Sequence, residues 1–470
     1  MPRHEILPTF HVKKMRLRVR LALIFGLVFL SSIPRFLVLA GGQNPFDPYR
    51  YAASLRDLLE FSEFPIVYPA FALLSIPFTL FADPLISVML TAVTFASLSA
   101  IPVYLIGEKI GGMPAGLFSG LVYAFSALLL NMLSRGYYAN ALSFFFLMWL
   151  IYEILGHSKS RTILVPVLLL AIALTHHTFT LPVTLLFYAI CSAVLVLFRE
   201  FADAKVMVVG GVLFATVALV GLSSYFLPSA WYNAAITGLQ TEVNIADFLA
   251  TLWNRLLING YYDAIFILLA PAGLFLLKAK ARLVFLSLFL AILATNLLVT
   301  GNIEARDRIS FFYSLPAVFV VGRALAALWS DLPLTLRARG LSRIFVLLLL
   351  LLVAFQNVTY VHRSTQYFAA YVTVNGKVAE WIARNPTNGK ILIRDVDEAW
   401  LRYLAGRSPQ FLSSSNYPEL LGDEEKLSRL VRENDVKYIV APVYFKATLC
   451  RIFTPVFDDG VSLVVDTSNR

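Results

Sequence analysis

The chain has 470 residues, 59% of them hydrophobic and only 14% charged, and its mean hydropathy is +0.73. That balance excludes an ordinary soluble globule, and repeated apolar runs of roughly 18–22 residues imply a polytopic helical membrane protein. The net charge of +10 does not mark a nucleic-acid binder, because the Lys and Arg excess collects in short loops between apolar runs, where it signals topology.

The first apolar run, 20–40, follows the basic residues Lys13, Lys14, Arg16, Arg18 and Arg20. No small-residue cleavage site is obvious, so it reads as a retained first helix rather than a signal peptide. A large loop, 41–84, comes next and opens with "NPFDPYRY". "DPYRYAASLRDLLEF" reads as a surface helix, with Asp47 placed as its N-cap and Pro48 at the first helical position. The apolar stretch 66–82 is short and carries Pro69 and Pro77, which suits a re-entrant or interfacial segment. Further spans are expected at 85–106, 114–132, 138–155, 162–175, 179–198, 205–227, 261–278, 282–300, 309–331 and 344–362. A β-barrel would instead show alternating segments of about ten residues.

Eleven spans put Lys159 and Arg161, then Lys278, Lys280 and Arg282, then Arg337, Arg339 and Arg343 on the side of the basic N-terminus. Basic loops face the cytoplasm. A crossing by 66–82 would turn every later basic loop outward. From about 364 the composition changes. "VAEWIARN", "KILIRDV", "DEAWLRYLAG", "EEKLSRLVREN", "VKYIVAPV" and "SLVVDT" alternate helical and strand periodicity, as in a small soluble α/β domain. The expected organisation is a membrane domain, 1–363, followed by an extracytoplasmic α/β domain, 364–470, in a multi-pass cell-membrane protein.

This topology gathers polar groups on the outer face: Asp47, Arg50 and Tyr51 in the first loop, "LSRGYY" at 133–138, "THHT" at 175–178, Glu242 in the long loop 228–260, and "GNIEARDR" at 301–308. Asp307 and Arg308 begin a span, and charges at membrane depth tend to be functional. His176 and His177 are adjacent, so on a helix they point about 100° apart and do not chelate as an i, i+4 pair would. They read as a polar helix end and a hydrogen-bond donor to a ligand. Cys191 and Cys450 form no metal motif and no structural disulfide is expected. "NVT" at 357–359 is a glycosylation sequon lying close to a span. No phosphate-binding loop, dinucleotide fingerprint, zinc-protease motif or nucleophile elbow occurs. What remains is an outward cavity with an acid and several arginines beside lipid. Arginines suit a phosphate or diphosphate head group, and a carboxylate suits a proton acceptor or metal ligand.

An acid in a large first outer loop, a surface helix and a proline-rich stretch before the next span resemble the GT-C superfamily of membrane glycosyltransferases. "FDPYRYAASLRDLLE", "SRGYYANALSFFFLMWLIY" at 134–152, "ARDRISFFYSLPAVFVVGRA" at 305–324 and "VAEWIARNPTNGKILIRDVDEAWLRYLAGRSP" at 378–409 are similar to motifs of oligosaccharyltransferase catalytic subunits and the protein O-mannosyltransferase-like group. The chain departs from them in two places. Tyr137–Ala141 holds no carboxylate where oligosaccharyltransferases carry acids, and "RDVDEA" stands where their acceptor-binding W-W-D-Y-G lies. "LQTEV" faintly resembles the family's acidic motif in a later outer loop, which would give Glu242 a role. The resemblance implies inverting, single-displacement transfer of a sugar from a polyprenyl-phosphate donor to a protein, lipid or glycan acceptor. Asp47 would be the catalytic base. Arg308, with Arg135 and Arg306, would hold the lipid phosphate. Arg50, Tyr51, His176, His177, Glu242 and Asp307 would line the substrate site. No cofactor is certain; a divalent cation, Mg or Mn, with Asp47 as a ligand, is left open. The alternatives are a non-catalytic glycolipid-binding relative or a lipid-linked sugar flippase, but no clear internal repeat of the kind transporters show is present.

Overall fold

The computed structural model describes residues 6–40, 46–60, 69–156, 160–176, 180–221, 264–298, 308–331, 336–394, 398–405, 410–414 and 417–468. Most of them are helical. Phe25, Phe29, Val212, Leu351 and Phe355 face outward, whereas Ser87, Thr91, Ser119, Asn140 and Thr184 are buried. That distribution suits lipid as solvent, where apolar side chains need no shelter and polar ones do.

Among the described residues, six helical stretches are long and apolar enough to cross a bilayer: Leu17–Ala40, Pro84–Ser134, Tyr138–Leu155, Thr180–Leu197, Ala279–Leu297 and Arg308–Ser330. The second is a hairpin. The chain reverses at Gly111–Gly112, and Gly112 has φ 78° and ψ −177°, a conformation open essentially to glycine alone. The expected runs at 205–227 and 261–278 lie partly outside the described residues. The stretch at 66–82 forms a helix at Pro69–Ser75 and a 3-10 turn at Ile76–Leu80. Together they reach roughly 20 Å, short of the ~30 Å hydrocarbon layer.

The second arm of the hairpin breaks at Ser126 (φ −64°, ψ 122°) before continuing as helix Ala127–Ser134. The break frees carbonyls at membrane depth, and two distant side chains satisfy them. Buried Arg35 donates to Tyr123 O (3.3 Å) and Ala124 O (3.4 Å), and Asn357 Nδ2 donates to Phe125 O (2.7 Å). A cation suits the negative end of a helix. The same contact answers the sequon question: Asn357 is fully buried and its amide donor is engaged, so it is not an accessible acceptor.

The basic loops meet at one end of the bundle. Asp203 pairs there with both Arg161 and Lys280 (2.5 Å), Lys109 Nζ donates to Tyr152 O (3.0 Å), and Arg20 pairs with Glu108 (2.6 Å). At the other end a single helix, Leu336–Arg384, runs across position 363/364 and delivers the chain to a five-stranded sheet. The strands are β1 (Lys390–Arg394), β2 (Gln410–Ser414), β3 (Val436–Pro442), β4 (Thr454–Asp458) and β5 (Ser462–Asp466), in the order β2-β1-β3-β5-β4. The β2-β1-β3 half is parallel, and β5 and β4 add antiparallel edges. Alternation sorts the β1 side chains: Leu392 packs with Leu421, Leu427 and Ile439, while Ile391 and Ile393 pack with Val378, Ile382 and Leu401. Tyr49, from the first loop, joins the second cluster, so the surface helix is docked against the α/β domain.

Candidate active site

The surface helix spans Phe46–Leu59, so Asp47 falls in its first turn rather than at its cap. Its carboxylate has another employment. Oδ2 lies 2.9 Å from Arg308 Nη2, and both side chains are about nine-tenths buried. An ion pair this far from water keeps its geometry only because both partners are present. Tyr51, one turn on and on the same face, packs on Phe71 (5.0 Å between ring centroids) and Tyr138 (6.0 Å). Arg50 points away and is exposed.

Arg308 opens the helical turn that leads into Ser314–Ala326. Its guanidinium carbon sits 4.3 Å from the ring centroid of Tyr137. Tyr137 meets Phe311 edge-on at 5.8 Å, and Arg135 lies 6.0 Å from the Phe311 ring. Two arginines and two aromatic rings thus alternate beside Asp47, each cation drawing on a ring face. The turn that supplies Arg135 and Tyr137 follows from sequence. Gly136 takes φ 79°, the Tyr137 amide donates to Met132 O and the Gly136 amide to Leu133 O, which ends helix Ala127–Ser134 as a Schellman motif.

His176 enters a different chain. It is fully buried, and its Nδ1 accepts the Thr180 amide (3.2 Å) and lies 2.8 Å from Thr180 Oγ1, which meets Ser143 Oγ at 2.9 Å. Nδ1 as acceptor puts the neutral ring's proton on Nε2. The histidine therefore secures the start of helix Thr180–Leu197. Arg306, Asp307, His177 and Glu242, also expected here, lie outside the described residues. The structure thus brings together Asp47, Tyr51, Arg135 and Arg308, and adds Tyr137, Tyr138, Phe71 and Phe311. Aromatic residues are common in an apolar chain, so only "RGYY" beside a span end could have pointed to the tyrosines.

Among the described residues no group of three or more His, Cys, Asp or Glu could hold a metal ion. Asp47 faces a guanidinium, which repels a cation, so these residues do not fit the divalent ion left open by the sequence. Cys191 and Cys450 are both free thiols.

An apolar groove runs along the helix that follows Arg308. Pro271, Leu274, Phe285, Phe289, Tyr313 and Val320 are among its walls, and it encloses about 380 Å³. It descends from Tyr313, just past Arg308, toward Phe275 near the basic end.

No protein-family model matches the chain, and no curated protein sequence matches it. Solved structures do. The crystal structure of ArnT from Cupriavidus metallidurans in the apo state matches with a TM-score of 0.62 at 12% identity, over 97% of this chain and 98% of that one. ArnT bound to undecaprenyl phosphate gives 0.59 at 12% identity, over 96% and 98%. The archaeal oligosaccharyltransferase AglB from Archaeoglobus fulgidus, in complex with an inhibitory peptide and a dolichol-phosphate, gives 0.57 at 11% identity, over 95% of this chain and 74% of that one. The chain has the GT-C fold. The likeness runs over nearly all of the chain. At these identities the likeness is one of fold.

Proposed function

We propose that the chain is a GT-C glycosyltransferase that moves a sugar from a polyprenyl-phosphate donor to an acceptor at the outer face of the cell membrane. The observation that carries this reading is the buried Asp47–Arg308 pair; an apolar groove, beginning at Tyr313 five residues after Arg308, accompanies it. The groove suits an isoprenoid tail, and Arg308 suits the phosphate that follows it. ArnT with undecaprenyl phosphate and AglB with dolichol-phosphate share this fold and bind such lipids. The membrane domain and the α/β domain would meet near 363/364, the α/β domain lying outside with the site and the basic end in the cytoplasm.

The mechanism follows from charge. When a lipid phosphate arrives, Arg308 turns from Asp47 to the phosphate oxygens, which leaves the carboxylate with unshared lone pairs. An acceptor hydroxyl or amide attacks the anomeric carbon, and Asp47 takes its proton. The bond from that carbon to the phosphate oxygen breaks with its electron pair, so the lipid phosphate gains charge as it leaves. Arg308, with Arg135 behind it, stabilises that charge more in the transition state than in the ground state. One displacement inverts the anomeric centre. Tyr51, Tyr137 and Tyr138 wall the sugar site, and Arg306, Asp307, His177 and Glu242 are its further candidates; Arg50 and His176 point elsewhere.

The test is sugar transfer by the purified protein from a panel of polyprenyl-phosphate sugars, wild type against Asp47→Asn. Product from the wild type alone, with both proteins folded, is the expected result. Product from both would remove Asp47 from the chemistry. Product from neither, across a broad panel of donors and acceptors, would overturn the enzyme reading in favour of lipid-sugar binding or export.

A further inference from the structure

The helix that carries Asp47 is held from two sides. Asp47 and Tyr51 face the membrane helices. Tyr49 and Arg56, seven residues apart and so on one stripe, face the other way. Both meet Tyr403, on helix Glu398–Ala405 of the α/β domain. The Tyr49 and Tyr403 rings sit edge-on at 5.4 Å. Arg56 places its guanidinium carbon 5.2 Å from the Tyr403 ring centroid and donates from Nη1 to the Tyr403 carbonyl at 3.4 Å. The Tyr403 hydroxyl reaches Asp83 Oδ1 at 3.5 Å, and that same oxygen caps helix Pro84–Leu98 by accepting the Ile86 amide at 3.0 Å.

Tyr403 therefore touches both turns of the stripe and the start of the next span. A helix of 14 residues is marginal alone in water, so its position depends on what it packs against. We propose that Tyr403 is a positioning residue, holding Asp47 at the reaction centre by clamping helix Phe46–Leu59 from its opposite face. This rests on the glycosyltransferase reading above. It makes the α/β domain a structural part of the site rather than an appendage. Burial raises both phenols above their ordinary range, and the neighbouring Asp83 adds to it, so the clamp stays neutral at working pH. Asp57 is the other acid of the Asp47 helix, Glu60 follows its end, and Arg50 is its remaining cation.

The experiment measures hydrogen exchange of the full-length protein in nanodiscs, together with kcat and donor KM. The variants are Tyr403→Ala, Tyr403→Phe and, as a control, Tyr444→Ala, whose exposed ring lies on the α/β domain outside this contact. Tyr403→Ala is expected to speed exchange in 46–59 while leaving β1, β3 and β5 protected. It should lower kcat by roughly tenfold to a hundredfold with donor KM little changed, the effect of a misplaced catalytic group. Tyr403→Phe keeps both ring contacts and should restore at least half of the wild-type kcat. Unchanged exchange in a folded Tyr403→Ala protein would overturn the clamp, and faster exchange with unchanged kcat would overturn positioning. If Tyr403→Ala does not fold, Arg56→Met probes the same contact with the same two readouts. Should the wild type transfer no sugar, the glycosyltransferase reading fails, while loss of protection in 46–59 still supports the clamp.

Discussion

Two buried acids, one at each end of the bundle, show how neighbours decide what a carboxylate does. At the basic end Asp203 lies between Arg161 and Lys280. Burial pushes its pKa up, yet the two cations outweigh that and hold it below the ordinary carboxylate range. Its lone pairs are spent on ties between loops. At the other end Asp47 meets Arg308, and that arginine also leans on Tyr137. A saturated acid is a rivet. On the proposed function, an acid that shares one cation with a prospective ligand is a reagent.

The widest test of that contrast pairs Asp47→Asn with Asp203→Asn. Loss of a general base typically removes 10²–10⁴ in rate, roughly 3–5 kcal/mol. Asp47→Asn should show this in kcat with a modest change in Tm. Asp203→Asn should do the reverse. It leaves two cations facing each other, which for a buried pair costs about 3–5 kcal/mol of stability, and the partly exposed Lys280 puts the effect at the lower end. Turnover per folded molecule should be unchanged. Large rate loss in both, at equal Tm, would erase the distinction.

Arg308→Met comes next. Removing a donor that acts on developing charge costs about 2.7–4 kcal/mol of transition-state stabilisation. It should lower kcat, and kcat/KM more steeply, the mark of a contact made with the bound donor and strengthened in the transition state. A rise in donor KM at constant kcat would make Arg308 a docking residue instead. The pH dependence of stability sharpens the other end. The Asp203 carboxyl is depressed in the fold, so its contribution is present above the unfolded pKa of about 3.9 and fades as pH falls through that value and below it. Asp203→Asn should flatten Tm against pH in that window; an unaltered profile would remove the assignment.

How much of this was legible in the sequence follows from the same physics. Asp47, Arg135 and Arg308 stand out because a charge at the end of an apolar run is costly and therefore informative. The eleven-span expectation rests on basic loops; six long apolar helices are found among the described residues, and Lys109, Arg161 and Lys280 lie at one end. The apolar patterns of the tail became β1, β3 and β5, while β2 and β4 escaped because "QFLSS" and "TPVFD", as edge strands, show weak alternation. Asp47 was read as a cap because local sequence favours it; its real partner lies 261 residues away, beyond any local rule. Tyr403 and Asp83, 320 residues apart, were invisible for the same reason. Arg35 was hidden inside a run that reads as plain membrane helix, since its acceptors are carbonyls freed by a break elsewhere.

The smallest expected effect draws the finest line between the two ends. Each carries a tight turn built on glycine with nearly the same φ, Gly112 at 78° and Gly136 at 79°. Alanine at either position meets the steric penalty for positive φ, roughly 1–3 kcal/mol, the larger share at Gly112 because its ψ of −177° lies where only glycine is at ease. Nothing crowds a Cβ at Gly112 beyond Pro114 Cδ at 3.9 Å, so the cost there is conformational. Gly112→Ala should therefore lower Tm more than Gly136→Ala. Activity should rank them the other way, because Gly136 sets Tyr137 against Arg308 and Arg135 against Phe311, whereas Gly112 only reverses the chain at the basic end. A Gly112→Ala protein that loses turnover per folded molecule as fast as Gly136→Ala would mean that the two ends are mechanically coupled, and the division between rivet and reagent would not hold.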